Sequence, residues 1–163
     1  MPKAERPFQG RIFITIAYSK ESLCMNHRER LLERIGDIND FSRPRPLVTL
    51  EEFFEGNDDP ASIGYNLPDP PMPEEFYAFL RTIRERQDVV DIRIEVKDQE
   101  DPDGWPSTDT IWFITSASAS DVRKWFPDCL APDEVLLGFD SLTKNVEPYD
   151  VPEGMNVIGA WYD

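Results

Sequence analysis

Residues 89–117 read VVDIRIEVKDQEDPDGWPSTDTIWFITSA, and this stretch decides the fold class. From Val89 to Lys97 two residue types alternate: Val90, Ile92, Ile94 and Val96 against Asp91, Arg93, Glu95 and Lys97. A period of two sends successive side chains to opposite faces, so the pattern predicts a strand with one dry face and one wet face. Thr108 to Ala117 predicts a second strand, in which Ile111, Trp112, Phe113 and Ile114 run almost continuously, as in a buried strand. The two strands predict an antiparallel hairpin closed by the long acidic loop DQEDPDGWPS.

Upstream, Phe76, Phe79, Leu80 and Ile83 follow the i, i+3, i+4, i+7 template of a helix that packs by one face. Pro73 suits its first turn, Glu74 and Glu75 suit its dipole, and it is expected to run to about Gln87. Before it lies NLPDPPMP, whose prolines exclude regular structure. Thr49 followed by Glu52 is a capping box that predicts a short helix from Leu50 to Glu55, ended by Gly56. Nearer the start, Gly10–Ala17 (GRIFITIA) predicts a strand, and Ser19 is expected to cap a helix reaching Ile35, with Gly36 as its stop. Downstream, Ser118 or Ser120 caps a helix to about Phe126, Pro132–Leu137 predicts a helical turn, and Met155–Tyr162 predicts the last strand.

This order predicts an α+β fold: a mostly antiparallel sheet of about four strands with helices on one face. A ferredoxin-like β-α-β-β-α-β order fits if residues 37–87 are an elaborated first crossover. Residues 1–163 are expected to form a single domain, with 37–72 a long irregular connection holding one short helix.

The 163 residues are 40% hydrophobic, enough to bury a sizeable core without disulfides or a structural metal. The formal net charge is -15, from 32 acidic against 17 basic residues. Such a chain repels phosphate backbones and anionic lipid, so neither nucleic acid nor membrane is an expected partner. A basic protein is the expected partner, since opposite charge steers encounter. The acidity belongs to residues 47–163, because residues 1–46 hold nine basic and six acidic residues. Cys24 and Cys129 make no disulfide framework, and MPKAERPFQG has no apolar signal region, so the expected setting is cytoplasmic.

Two acidic runs stand out as candidate partner-binding residues. The first is Glu51, Glu55, Asp58 and Asp59, where Glu51 and Glu55 share a helix face at i, i+4 and can receive Lys or Arg of a partner, or a hard cation. The plain alternative is a solvated helix start whose carboxylates favour the dipole. The spacing is not that of an EF-hand. The second is Asp98, Glu100, Asp101 and Asp103 around Trp105, a docking surface in which an aromatic anchors and carboxylates steer. Its plain alternative is a soluble loop whose Trp105 packs back on the sheet.

No catalytic set emerges. His27 is the single histidine, and the face it shares with Cys24, Leu31 and Ile35 reads as core. Cys24, His27 and Cys129 are the whole supply of nitrogen and sulfur ligands, with no CxxC, so no metal site is expected. No Gly-rich phosphate loop occurs, and no cofactor is expected.

The stretch EEFFEGNDDPASIGYNL, the helix EEFYAFLRTIRERQDV and the strand-loop-strand ending WPSTDTIWFITSA resemble a family of small acidic uncharacterised bacterial proteins, over roughly Val48 to Gly138. The resemblance implies no residue roles. In size, acidity and build the chain is also similar to bacterial immunity proteins, a likeness of general character. The functional expectation is an acidic cytoplasmic protein-binding module, immunity-like, that inhibits a basic protein. The alternatives are a small carboxylate-based or cation-assisted enzyme near Glu51–Asp59, and an accessory subunit of a complex.

Overall fold

The computed structural model describes residues 25–139 and 145–163, so the expected strand Gly10–Ala17, Ser19 and Cys24 lie outside the described residues. The expected hairpin forms from β2 (Val89–Asp98) and β3 (Ser107–Thr115), paired antiparallel. β5 (Asn156–Trp161) pairs with β3, and β4 (Glu134–Leu137) pairs with β5. β1 (Leu47–Val48) pairs with β2, giving among the described residues a five-stranded sheet in the order β1-β2-β3-β5-β4 with every pair antiparallel. The fold is α+β. A ferredoxin-like order would set the chain's first strand beside β3, and here β5 takes that place.

Among the described residues, four helices pack on one face of this sheet. They are α1 (His27–Ile35), α2 (Leu50–Phe54), α3 (Pro73–Arg84) and α4 (Ala119–Trp125). Leu31, Phe53, Phe76, Leu80 and Val122 meet Ile92, Ile94, Ile111, Phe113 and Ile158 in one core. The caps of α2 and α4 are those expected. The Thr49 side chain accepts from Glu52 N at 3.1 Å while Glu52 accepts from Thr49 N at 2.8 Å. Ser118 caps α4. α1 begins later than expected, because Asn26 and Glu29 form their own capping box and hold the helix start at His27.

Pro132–Leu137 is not a helical turn. A 3-10 turn forms just before it, at Asp128–Leu130, and Glu134–Leu137 extends to complete the sheet, where Leu136 packs on Trp112. The connection 37–72 holds β1 as well as its short helix.

The hairpin departs from simple alternation in two ways. A bulge between Val89 and Asp91 takes Val90 out of register, so Val90 is exposed and Val89 buried. Glu95, expected on a wet face, is 0% exposed. That second face is covered: Leu47, Trp112 and Leu136 form a core with Phe139, Val146, Tyr149, Val157 and Trp161 packed against it. The Glu95 carboxylate accepts from Trp112 Nε1 at 2.7 Å and from Arg45 at 2.8 Å, as a buried charge must. Trp112 lies across from Gly159, where a Cβ would meet the indole at 2.7 Å, so the glycine is what lets the ring lie flat on the sheet.

Residues 145–149 strap this second core. Arg45 N donates to Asn145 O at 2.7 Å and Glu147 N to Arg45 O at 2.9 Å. Glu147 takes a bidentate pair from Arg34 at 2.9 and 2.7 Å, and accepts from Leu47 N at 3.0 Å. Tyr149 OH donates to Asp91 at 2.6 Å, with the Arg93 guanidinium over its ring.

Removing the Arg45 side chain takes a charged donor away from the buried Glu95 carboxylate. Arg45→Ala is expected to lower stability in urea unfolding by about 1–3 kcal/mol. In combination with Glu95→Gln the loss should be less than additive, and additivity would deny the coupling.

The strap also gives a two-sided pH dependence. The hydrogen bond from Arg34 holds the Glu147 carboxyl below the usual range, so its contribution is in place above the unfolded carboxyl pKa and is lost as pH falls through the folded value. Burial, and then the bond to Asp91, raises Tyr149 from 10.0 to about 12; that contribution is present below pH 10 and lost as pH rises toward 12. Urea stability measured across pH should fall at both ends. Glu147→Gln should shrink the acid limb and Tyr149→Phe the alkaline one.

Candidate functional site: an acidic cleft

The two acidic runs, some forty residues apart in sequence, partly meet in space. A cleft of about 410 Å³ opens at the sheet end where β2 finishes and β3 begins. Six acidic residues line it: Asp59, Asp98, Glu100, Asp101, Asp109 and Asp163. Lys97 is the one basic residue among its described lining residues. Tyr65, Trp105 and Tyr162 supply aromatic walls.

Asp59 is placed by a stitched turn. Its Oδ1 accepts from Ala61 N at 2.9 Å and its Oδ2 from Trp105 N at 3.1 Å, across to the hairpin loop. Asn57 steadies the same turn, accepting from Asp59 N at 3.0 Å and donating to Ser62 Oγ at 3.0 Å. Ser62 O accepts from Thr108 N at 2.8 Å, which fastens the turn to the start of β3. Gly64 then takes φ 63°, and a Cβ there would meet Phe76 at 2.9 Å, so the chain passes close over α3.

The hairpin loop is held from outside by Arg28 of α1. Its Nε donates to Gly104 O at 2.7 Å and a terminal nitrogen donates to Pro102 O. Within the loop, Asp101 accepts from Asp103 N at 2.9 Å, Gln99 donates to Pro102 O at 3.2 Å, and Asp98 accepts from Ser107 Oγ. Opposite, Tyr162 N donates to Asp109 O at 2.8 Å, and the Tyr162 hydroxyl donates to Leu130 O at 2.7 Å. Burial, with the nearby Asp133 charge, pushes the Tyr162 phenol far above its ordinary range.

The predicted residues divide. Asp59, Asp98, Glu100, Asp101 and Trp105 line the cleft. Asp58 and Asp103 are exposed beside it and are not among its lining residues. Glu51 instead receives Arg84 of α3 at 2.6 Å, and Glu55 lies 3.5 Å from His27 of α1. The facing carboxylate pair pictured on α2 is therefore drawn apart by two neighbouring helices. Trp105 is not an exposed anchor: it is 8% exposed and belongs to the main core. The exposed aromatic of the cleft is Tyr65, at 67%. Tyr65, Lys97, Asp109, Tyr162 and Asp163 were not picked out by sequence. Only topology brings them there.

Chemically the cleft offers acceptors. Carboxylates of this kind take ammonium and guanidinium groups through charge-assisted hydrogen bonds. His27 does not line it, and among the described residues no group of three or more His, Cys, Asp or Glu is arranged to hold a metal ion. Among the described residues no helix is long and apolar enough to cross a membrane.

Residues 26–160 match the model of the Uncharacterized protein YfbO family. The chain is similar to the "Uncharacterized protein YfbO" of Escherichia coli (strain K12), at 37% identity over 142 residues, covering 85% of this chain and 100% of that protein. No solved structure matches the chain.

Arg28→Ala removes two bonds that hold the hairpin loop. Each such bond is worth about 0.5–1.5 kcal/mol. Amide exchange over residues 99–105 should quicken about tenfold while β2 and β3 keep their protection, since each 1.4 kcal/mol is tenfold. Unchanged loop exchange would show that Arg28 does not set the wall.

Proposed function

The chain belongs to the Uncharacterized protein YfbO family, and we propose that it is an acidic protein-binding module that occludes a basic protein, in the manner of an immunity protein. The observation that carries this reading is the convergence of Asp59 with Asp98, Glu100 and Asp101 around one cleft, against a single lining lysine. A net charge of -15 extends the same field outward and favours fast encounter with a cation-rich surface. Tyr65 at the rim supplies the aromatic contact, since Tyr is among the residues that dominate interface energies. The setting we propose is the cytoplasm, in keeping with a chain of only two cysteines.

The recognition is mainly kinetic. Rim carboxylates that keep their water speed association and add little affinity. Asp59 differs from them, because both its oxygens already hold main-chain N–H groups and its charge is fixed before any partner arrives.

Tagged protein is expected to retain a basic protein from native lysate at low salt and release it in a salt gradient. The triple variant D98K/E100K/D101K should then slow association with that protein at least about tenfold, with dissociation changed less. An unchanged association rate would overturn the cleft as the docking surface.

A further inference from the structure

The two edges of the sheet are finished differently. At the β1 edge, Arg45 bridges Val146, and the Glu147 carboxylate takes the Leu47 N–H, so that edge is tied off by the strap. At the other edge, β4 has β5 on one side and no further strand among the described residues on the other. Gly138 N donates to Val157 O, and antiparallel bonding alternates, so Leu136 and Glu134 turn their main chain to β5. Val135 and Leu137 therefore turn theirs outward. Leu137 is also 65% exposed.

We infer that this edge receives an extended basic segment of the partner protein as a sixth strand. The inference rests on the acidic-module reading and names how that partner would seat. Charge favours a basic occupant: from Asp128 to Phe139 the chain has three carboxylates, Asp128, Asp133 and Glu134, and no basic residue. A second copy would bring the same acids to the same edge, between two chains of charge -15. The nearest basic side chains in sequence, Arg123 and Lys124, lie in the last turn of α4, which packs beside β4, and Lys124 is 3.5 Å from Asp121. The edge also continues from the cleft. Asp163 of the cleft wall donates its N–H to Asp133 at 2.8 Å, and Asp133 N donates to Trp161 O at 2.9 Å, so β4 starts where the acidic wall ends. Main-chain bonds to Val135 and Leu137 would then give register to a ligand that the carboxylates have steered in.

The test uses the full chain, amide exchange by NMR at low salt, and two synthetic probes. One is an end-capped octapeptide of alternating lysine and valine, and the other is hexalysine. The octapeptide is expected to slow exchange of the Val135 and Leu137 amides at least tenfold. Hexalysine should perturb Asp98–Trp105 without slowing those two amides. Leu137→Pro, which removes one outward donor and leaves the bonds to β5, should abolish the octapeptide's effect and keep the response to hexalysine. If the octapeptide perturbs the cleft but leaves the edge amides exchanging freely, the sixth strand is wrong and the acidic-module reading survives. If neither peptide perturbs the cleft, both fall. If Val135 and Leu137 are already protected before any peptide is added, another part of the chain or a second copy holds the edge, and the inference is overturned.

Discussion

A carboxylate buried in the middle of a sheet has to be held by donors, and Glu95 is the constraint around which this fold is arranged. Its two oxygens go to the Trp112 indole and the Arg45 guanidinium. Trp112 stands diagonally across on β3, opposite Arg93, so that bond comes with the hairpin. Arg45 comes from elsewhere in the chain and has to be delivered. The segment that delivers it becomes β1, with Leu47 opposite Glu95 and Val48 opposite Ile94. Val48 enters the core beneath the helices and Leu47 the one above. One ion pair thus fixes where the chain between α1 and α2 crosses the sheet. Because Glu95 is fully buried and Arg45 is 35% exposed, the pair works as a latch with one end in water.

The second face follows from that latch. Without cover, Trp112 and Leu136 would lie open to solvent. Phe139 packs edge-on to Trp112 and in turn meets Tyr149. The strap that carries Tyr149 is anchored at Arg34, Leu47 and Asp91, which belong to α1, β1 and β2. Polar groups predominate in these anchorages, so the cover is fastened by charge and hydrogen bonds around a small apolar centre. The face below is the reverse, an aliphatic and aromatic core with helices over it.

Much of this was readable from the residues. The alternation of β2, the near-continuous apolar run of β3, the stripe of α3 and the capping box at Thr49 are local patterns, and local geometry obeys them. What was not readable depended on partners distant in sequence. Glu95 looks like any solvent-facing member of an alternating strand until Arg45 and the strap are in place. Val135, Leu136 and Leu137 fit a helical turn equally well, and only β5 beside them makes them a strand. Asp59 and Asp101 sit in separate loops, and the bond from Trp105 N to Asp59 that draws those loops together leaves no local mark. Trp105 was legible in part: the alternative in which it packs back on the sheet is the one the structure adopts.

The tied turn at Asn57–Ser62 has a consequence for how the cleft can change. Asp59 supports the frame, so its replacement would disturb two main-chain contacts as well as one charge. Glu100 stands exposed on the far wall. At Glu100, unlike at Asp59, charge therefore stands apart from support. Variation at position 100 can retune the field of the cleft, even invert it locally, while the scaffold beneath stays as it is.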